Sequence, residues 1–145
     1  ELKTDHVLIY FGKAKTTLDD LYKLYPNLIF KSVHQIHSDK CVKAQDISTP
    51  LPQADALYTS DVGVALVIKT ADCMPIMVFD QTSKKILAIH AGWKGVVNEI
   101  TAKSIQAADL KDVHVYIGPH ITQNSFEVKS DAEALLRSVY QKYSG

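Results

Sequence analysis

Three side chains that could ligate a metal ion stand at similar positions relative to predicted strands. They are His37, Cys73 and His90, and the strands are predicted over residues 28–33, 62–69 and 86–90. Each residue ends its strand or follows it closely, at the carboxyl end where α/β folds gather ligand-binding groups. A single histidine or cysteine is more often a core residue than a ligand. Three at equivalent strand ends favour a shared site, provided that the strands are parallel neighbours.

One cysteine with two histidines suits zinc, because this borderline-soft ion accepts thiolate and imidazole together. Three protein ligands leave a fourth position open, which is typical of catalytic rather than structural zinc. The chain has no closely spaced cysteine pair of the zinc-finger type. The same ligands could hold copper in a trigonal site, but six histidines are too few for a multicopper oxidase. We therefore predict zinc, with copper as the weaker alternative.

A metal-free hydrolase uses the same residues in another way. Cys73 would then be the nucleophile, and His90 or His37 its base. Cys73 and His90 are thus candidate catalytic residues in either hypothesis. Asp72 is the third candidate, as a general acid or base beside Cys73. Its alternative role is to cap a turn by accepting backbone N–H groups.

A glycine-rich turn follows His90 and predicts an anion site. Gly92, Trp93 and Lys94 lie where a strand passes into a predicted helix, so backbone N–H groups and a lysine would surround a phosphate. The alternative is a tight turn whose tryptophan packs on the core. His120, just after the strand predicted over residues 113–117, either lines the same pocket or is a solvated loop residue.

The composition is that of an ordinary globular chain and excludes several classes of protein. Hydrophobic residues make up 46% of the 145 residues and charged residues 22%, which excludes a disordered chain. The 16 basic and 16 acidic side chains balance, so no charge excess favours nucleic acid or an anionic membrane. The apolar runs are far below the roughly 20 residues of a membrane helix. Two cysteines are too few for a disulfide scaffold, so a cytoplasmic location is predicted.

Strands and helices intermix along the chain, which predicts one α/β or α+β domain over residues 1–145 with mixed sheets flanked by helices. Further strands are predicted over residues 7–11, 56–59, 75–79 and 113–117. Helices are predicted after the cap Thr17, over residues 94–108, and from Ser130, whose capping box would include Glu133. No strand follows the last helix, so part of the native polypeptide is predicted to be absent.

Six short motifs occur in an order that resembles the YfiH-like family, which is also known as the polyphenol oxidase or laccase-domain family. They are Gln-Ile-His-Ser-Asp at 35–39, Ala-Asp-Ala-Leu at 54–57, Thr-Ala-Asp-Cys-Met-Pro at 70–75, His-Ala-Gly-Trp-Lys-Gly at 90–95, Ile-Gly-Pro-His at 117–120 and Ser-Phe-Glu-Val at 125–128. The resemblance spans about residues 28–137, and several motifs in register are far more specific than any one of them.

The resemblance implies a mixed fold likened to the cytotoxic necrotizing factor-like cysteine hydrolases. It implies zinc held by His37, Cys73 and His90. It also implies a transferase that cleaves adenosine, inosine, guanosine or methylthioadenosine with phosphate, and a hydrolase that deaminates adenosine. Purine nucleoside and phosphate would then be the partners. Editing of peptidoglycan precursors is a further activity attached to the family.

Two positions depart from the family pattern. Residues 11–15 replace a loop that usually carries arginine and paired glycines, and Lys94 stands where arginine is usual. Lysine keeps the charge but lacks the bidentate fork that suits phosphate. A non-enzymatic binding module is therefore a third hypothesis.

Overall fold

The computed structural model describes residues 2–3, 6–128 and 130–144. Its strands are β1 (Leu2–Lys3), β2 (Leu8–Ile9), β3 (Ile29–Ser32), β4 (Cys41–Lys43), β5 (Ala56–Thr59), β6 (Val64–Val67), β7 (Met74–Asp80), β8 (Ile86–Ala91) and β9 (Val113–Ile117). Its helices are α1 (Leu18–Leu24), α2 (Trp93–Val97), α3 (Ile100–Ala107) and α4 (Ser130–Tyr143).

A five-stranded sheet with the order β4-β5-β8-β7-β9 forms the centre of the structure. Only β4 and β5 in this sheet run parallel, and the other neighbours are antiparallel. The inner strands β5, β7 and β8 are largely buried, in keeping with sequences that are apolar almost throughout. The edge strand β9 is exposed at four of its five positions.

Both faces of this sheet are covered. On one face, Leu87 and Ile89 pack with Ile100 of α3 in a buried cluster. On the other, Leu57 and Ala88 pack with Val33 and with the partly buried Leu66 of β6. The strands β3 and β6 form a separate parallel pair on this second side. The chain is therefore a mixed α+β fold, as the sequence predicts.

The first predicted helix forms as expected. The Thr17 hydroxyl accepts a hydrogen bond from the Asp20 amide, and the Asp20 carboxylate accepts one from the Thr17 amide. This reciprocal capping box satisfies two N–H groups that a helix start leaves without partners. The last helix begins at Ser130, but Lys129, which precedes it, lies outside the described residues, so the second capping box stays a prediction.

The single helix predicted over residues 94–108 is wrong, because the chain breaks into α2 and α3. Glu99 adopts a left-handed conformation (φ 61°) between them. Its carboxylate accepts hydrogen bonds from Lys142 and Tyr143 of α4. The break also brings Ile100 into the core with no exposed surface. Tertiary contacts thus override a local pattern that favours one continuous helix.

Candidate metal centre

Antiparallel pairing brings Cys73 and His90 to the same end of the central sheet. Cys73 directly precedes β7, and His90 is the penultimate residue of β8. The register pairs Met74 with Ala91 and Pro75 with His90, so the start of one strand meets the end of the other. Of the three predicted strands, β3 and β6 are parallel neighbours, but β8 belongs to the central sheet and pairs with neither of them. The three strands therefore do not form one parallel set, although the residues that follow them do converge.

His37 reaches the same end of the sheet from the loop between β3 and β4. Its Nε2 lies 3.8 Å from the Cys73 Sγ, and its ring centroid lies 4.9 Å from that of His90. The potential ligand atoms of the three residues all lie within 4.8 Å of one another. His37 is exposed and His90 is buried, so the cluster opens toward solvent on the His37 side.

A buried carboxylate holds the ring of His90. The Nδ1 of His90 lies 2.8 Å from Oδ1 of Asp55, and the two residues are 4% and 0% exposed. An ionised carboxylate only accepts hydrogen bonds, so Nδ1 carries the proton. The Nε2 of His90 is then left with its lone pair, which is the form that binds a metal ion.

Asp55 also holds the loop that carries His37. Its carboxylate accepts hydrogen bonds from the amides of Ile36, His37 and Ser38 at 3.2, 3.0 and 2.6 Å, and from the Ser38 hydroxyl at 2.7 Å. Burial opposes the charge, but the hydrogen bonds from His90, Ser38 and the loop amides outweigh it and hold the pKa of Asp55 below its ordinary value.

A second tie anchors the same loop to α3. Asp39 forms an ion pair with Lys103, and this hydrogen bond holds the pKa of Asp39 below its ordinary value. Both side chains are substantially exposed, and exposed pairs contribute only about 0–1 kcal/mol. The buried contacts of Asp55 therefore contribute more to the position of His37.

Gly92 closes the cluster on the side of α2, where it is the N-cap residue. A Cβ at this position would lie 2.8 Å from Cδ2 of His37 and 3.2 Å from the Cys73 Sγ. The first of these distances is too short for carbon atoms, so only glycine leaves room for this arrangement. Gly92 thus lies against the metal-ligand candidates rather than apart from them.

The surroundings of Cys73 oppose its ionisation when no cation is present. Partial burial, together with the carboxylates of Asp72 and Asp55, raises the pKa of the Cys73 thiol above its ordinary value. A metal-free nucleophilic cysteine needs the opposite shift, toward the thiolate. A bound cation would stabilise the thiolate at this position.

Two of the other predicted site residues adjoin the cluster in sequence, since Asp72 precedes Cys73 and Lys94 follows Gly92 by two residues. Lys94 is exposed, and its Nζ lies 5.7 Å from the centroid of the Trp93 ring. Asp72 is exposed, and its backbone carbonyl accepts a hydrogen bond from the amide of Ile121. The neighbouring residue His120 is exposed and bonds through Nδ1 to the carbonyl of Gly118. Their roles stay predictions.

Asp55 is the residue of this site that the sequence analysis does not single out. It stands in Ala-Asp-Ala-Leu, where a charged residue falls within an otherwise apolar segment that enters a buried strand. Such a buried charge needs partners. That rule signals a role for Asp55, whereas its partners are 17 to 35 residues away and follow only from the fold.

The donor set fits zinc. Tetrahedral zinc with ordinary Zn–S and Zn–N bonds separates its ligand atoms by about 3.3–3.6 Å. The Nε2 of His37 and the Sγ of Cys73 already lie 3.8 Å apart, and the fixed tautomer of His90 offers a third donor.

Residues 15–144 match the family model described as multi-copper polyphenol oxidoreductase laccase. The chain belongs to this YfiH-like laccase-domain family. A purine nucleoside phosphorylase of Borreliella burgdorferi is 33% identical over 138 residues, which cover 91% of this chain and 59% of that protein. A Deinococcus radiodurans protein of the same name is 35% identical over 114 residues, which cover 75% of this chain and 44% of that one. This YfiH-like chain spans about half the length of the curated relatives it matches.

A solved structure has the same fold. A Neisseria meningitidis protein of the DUF152 family superposes with a TM-score of 0.78 at 27% identity, covering 87% of this YfiH-like chain and 53% of that protein. No helix in the described part of this chain is long and apolar enough to cross a membrane.

Proposed function

We propose that this chain carries the zinc site of a purine nucleoside phosphorylase, which cleaves adenosine, inosine, guanosine or methylthioadenosine with phosphate. The observation that carries the proposal is the convergence of His37, Cys73 and His90 within 4.8 Å. Relatives that bear the name purine nucleoside phosphorylase support the reaction class. Both cysteines are free thiols, which is consistent with a reducing, cytoplasmic location.

In this reaction a phosphate oxygen forms a bond to the anomeric carbon of the sugar while the bond from that carbon to the purine nitrogen breaks. The purine leaves with the electron pair and gains a proton, and the sugar 1-phosphate is the second product. Bound zinc would act as a Lewis acid and stabilise negative charge next to the ion. His37, Cys73 and the Nε2 of His90 would hold it, with Asp55 fixing the tautomer of His90.

The turn after β8 would receive phosphate. Gly92 lies against the ligand cluster, and Lys94 is exposed two residues later. Lys94 would hold the phosphate as a point charge, with Trp93 beside it. Asp72 and His120 are the candidates for supplying the proton to the leaving purine. They lie on two segments joined by the hydrogen bond from the Ile121 amide to the Asp72 carbonyl.

Deamination of adenosine is proposed as a side activity of the same site. The oxygen of water would bond to C6 of adenosine while the bond from C6 to the amino nitrogen breaks, and ammonia would leave. Asp72 and His120 are the candidates for transferring the protons from the water to the amino group. This reaction needs no phosphate. The two activities therefore separate when phosphate is withheld.

The test is to incubate the zinc-loaded chain with adenosine or inosine, with and without phosphate, and to measure free base and sugar 1-phosphate. We expect base release that depends on phosphate and that is lost in Cys73→Ala. Cys41→Ala is the matched control, because Cys41 packs against the α3-side core instead. The proposal fails if the zinc-loaded chain releases no base, or if Cys73→Ala releases it at the wild-type rate.

A further inference from the structure

We propose that Asp55 is a positioning residue that sets the geometry of both histidines of the candidate metal centre through one carboxylate. This inference rests on the proposed zinc site. It assigns to Asp55 the coupling of two ligands that come from separate parts of the chain, the β3–β4 loop and strand β8.

The coupling is visible in the way the two oxygens share their donors. Oδ1 receives both the Nδ1–H of His90 and the amide of His37, at 2.8 and 3.0 Å. Oδ2 receives the amides of Ile36 and Ser38 and the Ser38 hydroxyl. Because one oxygen serves both histidines, a rotation of this carboxylate displaces both ligands together.

His37 depends on this contact more than an ordinary loop residue would. Its φ of 61° lies in the left-handed region, which costs a non-glycine residue free energy unless its surroundings hold it. Three successive amides at residues 36–38 converge on Asp55 and supply that restraint.

The charge of Asp55 also points to a cation. The residue is 0% exposed, and among the described residues its one ion-pair partner is His90, with no lysine or arginine. A buried carboxylate is costly without compensating charge. A divalent ion bound by the Nε2 of His90 would lie across the ring from it and supply that compensation.

The experiment compares Asp55→Asn with wild type in two measurements on folded protein. These are zinc affinity by chelator competition and the visible absorption spectrum of the Co²⁺-loaded chain. Asparagine has nearly the same shape but puts an NH₂ group against the N–H and O–H donors. We expect zinc affinity to fall about 10–100-fold and the Co²⁺ bands to shift.

Asp80→Asn is the matched control. Asp80 is also buried and also accepts backbone amides, from Thr82, Ser83 and Lys111, but it lies at the far end of β7. We expect this variant to be destabilised while its zinc affinity and Co²⁺ spectrum stay at wild-type values. A purely structural role for Asp55 would make the two variants alike in metal binding, and that result would overturn the proposal.

Two measurements on the wild-type chain decide the matter if Asp55→Asn does not fold. ¹⁵N NMR should find His90 protonated at Nδ1, and hydrogen exchange should find the amides of residues 36–38 protected. Protonation at Nε2, or rapid exchange of these amides, would overturn the proposal. Both measurements can be made without metal, so they test the contacts of Asp55 even if the wild-type chain binds no zinc. Failure of the wild-type chain to bind zinc would refute the proposed function. Unchanged affinity in Asp55→Asn would refute only this inference.

Discussion

At the scale of single residues, Cys73 lies where its own ionisation is unfavourable. Burial and the carboxylates of Asp72 and Asp55 raise the pKa of its thiol. A zinc ligand must be the thiolate, so binding displaces a proton from this group. The raised pKa therefore makes metal binding strongly dependent on pH.

We expect the apparent zinc affinity to rise with pH by about tenfold per unit between about pH 7 and 8.5, since one thiol proton is released per ion. The affinity rises with pH because the raised pKa keeps the Cys73 thiol protonated to higher pH, and zinc must displace that proton to bind. Chelator competition across this range measures the slope, with Cys41→Ala as the control that keeps it. An affinity independent of pH would show that the Cys73 thiolate is not a ligand.

Residue types along the sequence predict the three ligand candidates but not the group that orients them. His37, Cys73 and His90 are recognisable because soft donors are few and each adjoins a predicted strand. Asp55 gains its role from a hydrogen bond to a residue 35 positions away. No local pattern encodes that pairing, so it follows only from the sheet register.

At the scale of elements, the join between β8 and α2 leaves room for the ligands only because residue 92 is glycine. Its φ of −76° is accessible to any residue, so the requirement is steric. The Cβ of alanine would meet His37 and Cys73. A side chain here would therefore displace ligands without altering the backbone preference.

We expect Gly92→Ala to weaken zinc binding by about tenfold or more, because overpacking typically costs roughly 1–3 kcal/mol. Gly63→Ala is the control with the opposite profile. A Cβ added at residue 63 meets nothing within 4 Å, but the backbone there has a left-handed φ of 82°. The Gly63→Ala variant should therefore lose about 1 kcal/mol of folding stability and keep the wild-type zinc affinity. Equal zinc affinity in wild type and Gly92→Ala would contradict the claim that zinc binding requires glycine at position 92.

The turn between β7 and β8 depends on the ionised form of Asp80. Backbone N–H groups of Ser83 and Lys111 are the leading causes that lower its pKa from 3.8 to about 2. A lowered folded-state pKa contributes stability above the unfolded value, and this contribution is lost as the pH falls from about 4 toward 2.

We therefore expect Asp80→Asn to destabilise the chain by about 1–3 kcal/mol near neutral pH, because buried amides lose a charged acceptor. The difference from wild type should shrink as the pH falls through the window from 3.8 to about 2. Urea unfolding at several pH values measures it. A difference that stays constant with pH would mean that the charge of Asp80 is not what stabilises the turn.

At the scale of the whole molecule, strand positions follow from the sequence more readily than their directions. Apolar segments bounded by turn residues give β5 and β9 with the predicted ends and β7 and β8 to within a residue. Hydrophobic periodicity carries no information on whether neighbours run parallel. The antiparallel pairing of β7 with β8 therefore had to come from the structure, as did the three-residue strand β4.

The ligand cluster stands at the end of the central sheet where β7 begins and β8 ends. The β3–β4 loop, the start of β7 and the end of β8 each bring one ligand. A site assembled from three separate segments forms only in the folded chain. Zinc binding should accordingly stabilise the folded state, because the unfolded chain does not hold the three donors together.

Elemental analysis of the chain purified without added metal tests directly whether His37, Cys73 and His90 hold zinc. We expect about one zinc per chain, lost in His37→Ala and in Cys73→Ala and retained in Cys41→Ala. Copper in place of zinc, no bound metal even after zinc is supplied, or zinc that persists in His37→Ala and Cys73→Ala would contradict it.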